Sequence, residues 1–257
     1  MSANEPGQPV PSATPGEVSF ELDVPAIALA IGAHPDDVEF GCGATLAKWA
    51  AAGCTVHHLV LTDGSKGTWD AGADTAELAK RREDEQREAA RRIAGDNAGS
   101  VGFLRYVDGE LAVTREATSR VARLIRELQP DVVLGHDPWK RYRLHPDHRH
   151  AGILTCDAVV AARDPHFFRE HGLRPHRPLA VLLWEADVAN HVEDVSDFVD
   201  CKLDALEAHV SQFESTMKAV DADQLRAFRA RIRERLAALG EPYGLAAAEL
   251  FARISDL

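Results

Sequence analysis

The sequence is poor in cysteine, and none of its cysteines is placed for a disulfide framework or a zinc ribbon. Cys42, Cys54, Cys156 and Cys201 are scattered, with no CxxC pair, which suits a reducing compartment with buried or idle thiols. Long apolar runs are also missing. Ala26–Ile31 and Leu179–Trp184 fall far short of the roughly 20 residues that cross a bilayer. No Lys/Arg-rich block offsets a net charge of −12, so neither nucleic acid nor a membrane is expected as a partner. The opening MSANEPGQPVPSATPGEVSF lacks the basic and apolar regions of a secretory signal. It reads as part of a disordered lead-in over residues 1–24, ahead of one folded domain over residues 25–257, with a cytoplasmic location expected.

What the chain does contain is alternation. Apolar strands are predicted at 26–32, 56–62, 101–104, 131–135 and 179–184. Between and after them lie helical stretches at 43–52, 77–94, 115–128, 147–162, 196–217 and 222–239, with more helix around 245–254. Alternating β and α elements imply an α/β fold: a single Rossmann-like, doubly wound, mostly parallel sheet with helices on both faces and a helical C-terminal region. Ligands of such sheets sit beyond the carboxyl ends of the strands, where the strand order reverses. With the order 3-2-1-4-5, that crevice lies between the first and fourth strands.

Two compact polar clusters follow those two strands: His34-Pro35-Asp36-Asp37 and His145-Pro146-Asp147-His148. Zinc favours imidazole and carboxylate donors, and a catalytic site holds it with three protein ligands and one open position. His34, Asp37 and His148 supply such a set. Water on the metal becomes a nucleophile near neutral pH, and Asp36, beside the ligand Asp37, is the candidate general base. His145 is the candidate donor to a developing oxyanion or a leaving amine. Each cluster alone also reads as a helix start with a polar cap. Gly41-Cys42-Gly43 allows a nucleotide-binding turn, although it lacks the full glycine spacing.

The segment AHPDDVEFGCGATLAKWAAAGCTVHHLVLTDGSKG, the later HPDH and the stretch VDCKLDALEAHVSQF resemble the LmbE-like (PIG-L) de-N-acetylases, and the likeness runs from residue 26 to about residue 217. The resemblance implies zinc ligands His34, Asp37 and His148, Asp36 as base and His145 as the stabilising cation. It also implies that Arg82 and Asp108 contact sugar hydroxyls. Some relatives carry a catalytic tyrosine two residues before HPDH, where this chain has Arg143. The loop 136–143 then reads either as a lid gripping a sugar or as a solvated loop.

The expected activity is zinc-dependent deacetylation of an N-acetylated amino sugar, of the N-acetylglucosamine type, or its conjugate. Fe2+ is an alternative metal, and a homo-oligomer is allowed. The rivals are an amidase for thiol–sugar conjugates, a nucleotide-binding domain without hydrolase activity, and a structural metal-binding protein. Glu39 is read as an acid that orients a ligand or binds substrate, or as a helix-start acid, Asp63 as a support beside the site, and His191 as a surface histidine, with a place in the crevice as its alternative.

Overall fold

Among the described residues seven strands form one sheet in the order β3-β2-β1-β4-β5-β7-β6. They are β1 (Ile27–Gly32), β2 (Thr55–Thr62), β3 (Ala98–Tyr106), β4 (Val132–His136), β5 (Ala180–Trp184), β6 (His191–Asp194) and β7 (Ala248–Ile254). The structure is a computed structural model and describes residues 18–20 and 22–257. The expected disorder of the lead-in lies, for residues 1–17 and 21, outside the described residues. Ser19 bridges to His191 of β6 and exchanges backbone hydrogen bonds with Asn190 and Val192.

The five strands from β3 to β5 run parallel. β1, β4 and β5 are almost wholly buried, which is why they read as unbroken apolar runs rather than alternating ones. Helices cover both faces. On one side α1 (Asp37–Ala51), α2 (Thr75–Ala94) and α5 (Val199–Leu206) enclose a core around Leu46, Trp49 and Trp184. On the other, α3 (Arg115–Leu128) and α4 (Pro146–Arg163) pack Val121, Ile125 and Leu154 against Leu29, Ile31 and Val133. α6 (Ala222–Gly240) follows, packed against β7. Among the described residues no helix is long and apolar enough to cross a membrane.

The C-terminal part departs from expectation in two places. Residues 245–254 do not form a helix: Ala248–Ile254 is a strand, antiparallel to both β5 and β6. Its Ala/Leu/Glu-rich composition favours helix, and burial of Ala248 and Phe251 against the sheet overrides that preference. The long helix expected at 196–217 stops at Leu206 and continues as short, irregular turns through Met217. This turn brings His209 onto Glu39, at 3.2 Å.

Candidate metal centre

β1 and β4 are hydrogen-bonded neighbours, and chain order reverses between them. The segment leaving β1 carries His34 and Asp36, and α1 begins at Asp37, six residues earlier than the predicted helix. Asp36 adopts φ 97°, a left-handed conformation that costs an L-residue energy and collects at functional sites. Gln86 of α2 holds it there by accepting the Asp36 N–H at 2.9 Å.

His145 precedes α4, with His148 in its first turn. The donor atoms of His34, Asp37 and His148 meet. His34 Nδ1 lies 3.2 Å from His148 Nε2. His148 Nε2 is 3.3 Å from Asp37 Oδ1, and His34 Nδ1 is 3.4 Å from Asp37 Oδ2. Ligand bonds of zinc length at tetrahedral angles require donors roughly 3.3 Å apart. His148 Nε2 has that spacing to both His34 Nδ1 and Asp37 Oδ1, and one donor atom from each of the three residues lies within 4.8 Å of the other two, so the set could hold a divalent cation.

Each donor is oriented from behind. His34 Nε2 faces Asp147 Oδ2 and Asp108 Oδ1, both at 3.1 Å. Asp147 is itself fixed by the backbone N–H groups of Gly109 and Leu111. Asp37 Oδ2 accepts the His34 N–H at 2.7 Å and lies 3.1 Å from His136 Nε2. Trp184 Nε1 donates to His136 Nδ1 at 3.0 Å, and Arg143 approaches the same nitrogen at 3.0 Å. With Nδ1 accepting, the network assigns the His136 proton to Nε2, from which it donates to Asp37. Such outer partners set ligand tautomer and direction.

The electrostatics separate the members. Burial pushes the Asp36 carboxyl up to about 6, helped by the Asp37 charge and opposed by Arg82. Burial also works against ionised Asp37, but the adjacent imidazoles of His148 and His136, with hydrogen bonds from His136 and His34, hold it well below the carboxylate range. Burial disfavours the His34 imidazolium, yet hydrogen bonds to Asp108, Asp147 and Asp37 raise it well above the usual value. Burial and the neighbouring imidazoles lower His148 to about 4, leaving it neutral at pH 7. Burial and the His34 charge lower His145 as well. Its Nδ1 accepts the Asp147 N–H at 3.3 Å, so Nε2 carries the proton and is a neutral donor on a residue that lines the cavity.

All seven sequence-selected residues (His34, Asp36, Asp37, Arg82, Asp108, His145 and His148) line one cavity of about 540 Å3. Arg82 is buried, and its guanidinium is occupied by the carbonyls of Gly64 and Pro35 and by Asp36 Oδ2, at 3.4 Å. Asp108 accepts from Lys66 N while touching His34. Both residues are thus committed to the frame of the cavity as well as to its wall. Asp63 Oδ1 accepts the Asp108 N–H, bracing that loop. Glu39 is fully buried and bonded to Gln86 and His209, away from the cavity.

His191 is not at the surface: it is fully buried in β6 between Ser19 and Glu193. Within the loop 136–143, Arg143 pairs with Glu185 at 2.6 Å, while Trp139 and Tyr142 are exposed and outside the cavity. Gly41-Cys42-Gly43 lies inside α1, with Gly41 against the Trp184 ring, and forms no phosphate-binding turn. His136, Asp147, Gln86 and Trp184 were not singled out from the sequence. Only Asp147, inside the HPDH motif, carried a signal there.

Fold and site together define a doubly wound α/β protein with a His/Asp centre able to hold a metal at its topological switch point. The chain belongs to the PIG-L (LmbE-like) family, a metal-dependent family described as GlcNAc-PI de-N-acetylase, which it matches over residues 29–159. It is 39% identical over 209 residues to a diacetylchitobiose deacetylase of Thermococcus kodakarensis, covering 79% of this chain and 77% of that one. It is 34% identical over 159 residues to the 1D-myo-inositol 2-acetamido-2-deoxy-alpha-D-glucopyranoside deacetylase of Mycolicibacterium vanbaalenii, covering 52% of this chain and 54% of that one. The structure of N,N'-diacetylchitobiose deacetylase from Pyrococcus horikoshii superposes with a TM-score of 0.81 at 31% identity, covering 90% of this chain and 84% of that one.

Proposed function

We propose that this chain is a zinc-dependent amidohydrolase that removes the acetyl group from an N-acetylated amino sugar of the N-acetylglucosamine type or its conjugate. One observation carries the reading. Three donors spaced for a cation converge beside Asp36, which nothing in that set needs as a ligand and whose carboxyl is tuned to about 6. Two imidazole nitrogens and one carboxylate oxygen suit zinc, and Fe2+ is the other metal that such a set takes. The likeness to deacetylases of diacetylchitobiose and of an inositol-linked glucosamine derivative supports the substrate class.

A divalent cation held by His34, Asp37 and His148 would supply Lewis acidity and lower the pKa of a bound water. Asp36 is ionised at neutral pH yet still basic, so it takes the proton from the water attacking the amide carbon. His145 donates its Nε2–H to the oxygen on which charge develops. As the C–N bond breaks, Asp36 passes its proton to the departing amine. The products are a free amino sugar and acetate.

The test is amine release from N,N'-diacetylchitobiose and N-acetylglucosamine, read with an amine-reactive fluorophore. Turnover that is lost on chelation, restored by zinc, and abolished by Asp36→Ala and His148→Ala is expected. Turnover that survives chelation or the His148→Ala substitution would overturn the proposal.

A further inference from the structure

The lining of the cavity is chemically two-sided. Asp108, Lys66, Gln212, Thr216, Glu185 and Arg235 supply polar groups, and Phe40, Gly41 and Trp184 supply apolar surface. Trp184 is fully buried with its ring against the Gly41 backbone, where a Cβ would come within 2.5 Å of it. A second cavity, of about 170 Å3, lies beyond Phe40 and Gly41. The two cavities share Phe40, Gly41, Glu185 and Arg235; Ile232, Leu236, Leu239 and Leu250 give the second an apolar wall, opposed by the charged groups of Lys140, Lys202 and Glu249. The Phe40 ring stands at this junction, held edge-to-face by Phe228 with centroids 6.2 Å apart. Beside it, Arg235 reaches Glu185 at 3.7 Å.

A hydrolysable N-acyl amino sugar has the same two-sidedness. Its ring carries hydroxyls that need hydrogen-bonding partners, whereas its acyl tail gains from apolar burial. We infer that the acyl group lies on the Phe40–Gly41–Trp184 side and that Phe40 sets its maximum length by closing the way into the second cavity. The inference rests on the amide-hydrolase reading and adds the acyl selectivity of the site. A chain longer than acetyl meets the held Phe40 ring. A mismatched methylene in an apolar pocket changes reactivity by about 10- to 200-fold. Removing the ring joins the two cavities, and the second has room for a few methylenes.

The experiment compares N-acetyl-, N-butyryl- and N-hexanoyl-glucosamine as substrates for the wild type, Phe40→Leu and Phe40→Ala. In parallel, calorimetry on the zinc-loaded proteins follows binding of acetate, butyrate and hexanoate, the acyl products. In the wild type, kcat/KM falls at least about 10-fold from acetyl to butyryl. In Phe40→Ala the hexanoyl-to-acetyl ratio rises at least about 10-fold over wild type, with Phe40→Leu intermediate and the carboxylate series shifting the same way. Chain-length profiles that run parallel in all three proteins overturn the assignment and leave the hydrolase reading intact. No turnover of any amide, with carboxylate binding that still follows chain length and residue 40, removes the hydrolase reading and supports the pocket assignment.

Discussion

Asp36 and Asp37 are adjacent, both buried, and driven in opposite directions: the Asp36 carboxyl is raised to about 6 while Asp37 is held well below its ordinary value. The difference comes from what each oxygen meets. Asp37 is surrounded by the N–H groups and imidazoles of His34, His136 and His148, whereas Asp36 has the Asp37 charge beside it and one Arg82 contact at 3.4 Å. Neighbouring acids pushed apart in this way can divide ligand and proton-transfer roles between them.

Ionised Asp36 therefore burdens the metal-free fold. Its folded pKa of about 6 exceeds the unfolded value of 3.8, so the folded protein holds the proton more tightly. The resulting cost is full above pH 6, shrinks as pH falls through that value, and disappears below the unfolded pKa. Asp36→Asn, which also tolerates φ 97°, should raise metal-free stability at pH 7.5 by a few kcal/mol. The gain should vanish near pH 4. Thermal melts of both proteins in chelator across this range check it; a gain that grows toward low pH would contradict the assignment.

Zinc binding to the metal-free protein at pH 7.5 should be accompanied by proton release from His34. The His34 imidazolium is stabilised by Asp108, Asp147 and Asp37, and a ligating imidazole must be neutral. His148, lowered to about 4, and ionised Asp37 have no proton to give. Calorimetry in buffers of different ionisation enthalpy counts the protons directly.

His136→Ala should weaken zinc binding about 10- to 100-fold, because Asp37 loses the N–H that fixes its outer oxygen. Trp184→Phe should have a smaller effect, since Arg143 still approaches His136 Nδ1. Competition against a chromophoric chelator measures both. Equal affinities in all three proteins would show that the orientation of Asp37 does not depend on His136.

Two glycines of α1 should respond oppositely to alanine. At Gly41 a Cβ would sit 2.5–2.7 Å from the buried Trp184 ring, so Gly41→Ala should cost about 1–3 kcal/mol. At Gly43 the nearest atom is Lys202 Cγ at 3.4 Å, and the helical backbone favours alanine. Gly43→Ala should be neutral or stabilising by up to about 1 kcal/mol. Urea unfolding of the two variants decides.

The parallel half of the fold was legible because β1, β4 and β5 are buried on both faces and leave uninterrupted apolar runs. His34, Asp36, Asp37, His145 and His148 stood out because their two motifs follow two of those strands, β1 and β4, whereas Arg82 and Asp108 came only from the resemblance; one cavity is lined by all seven. What escaped notice depends on tertiary partners. Ala248–Ile254 is a strand only because β5 and β6 offer it edges. His191 is buried only because Glu193 and Ser19 bond both ring nitrogens. His136 stood one residue beyond the predicted strand, within a stretch that looked like loop, and its role appears only once Trp184 and Asp37 flank it.

The helix that carries Asp37 is not continuous. Cys42, at φ −148°, interrupts it, and the carboxylate of Glu249 accepts the N–H groups of Ala44 and Thr45 at the break. Lys202, buried, bridges the Phe40 carbonyl to the same carboxylate. A segment near residue 40 is thus completed by residues 202 and 249. During synthesis the Asp37 end of α1 would wait for residue 249 to emerge. Completion of that end then becomes a late event that reports on the insertion of β7 between β5 and β6.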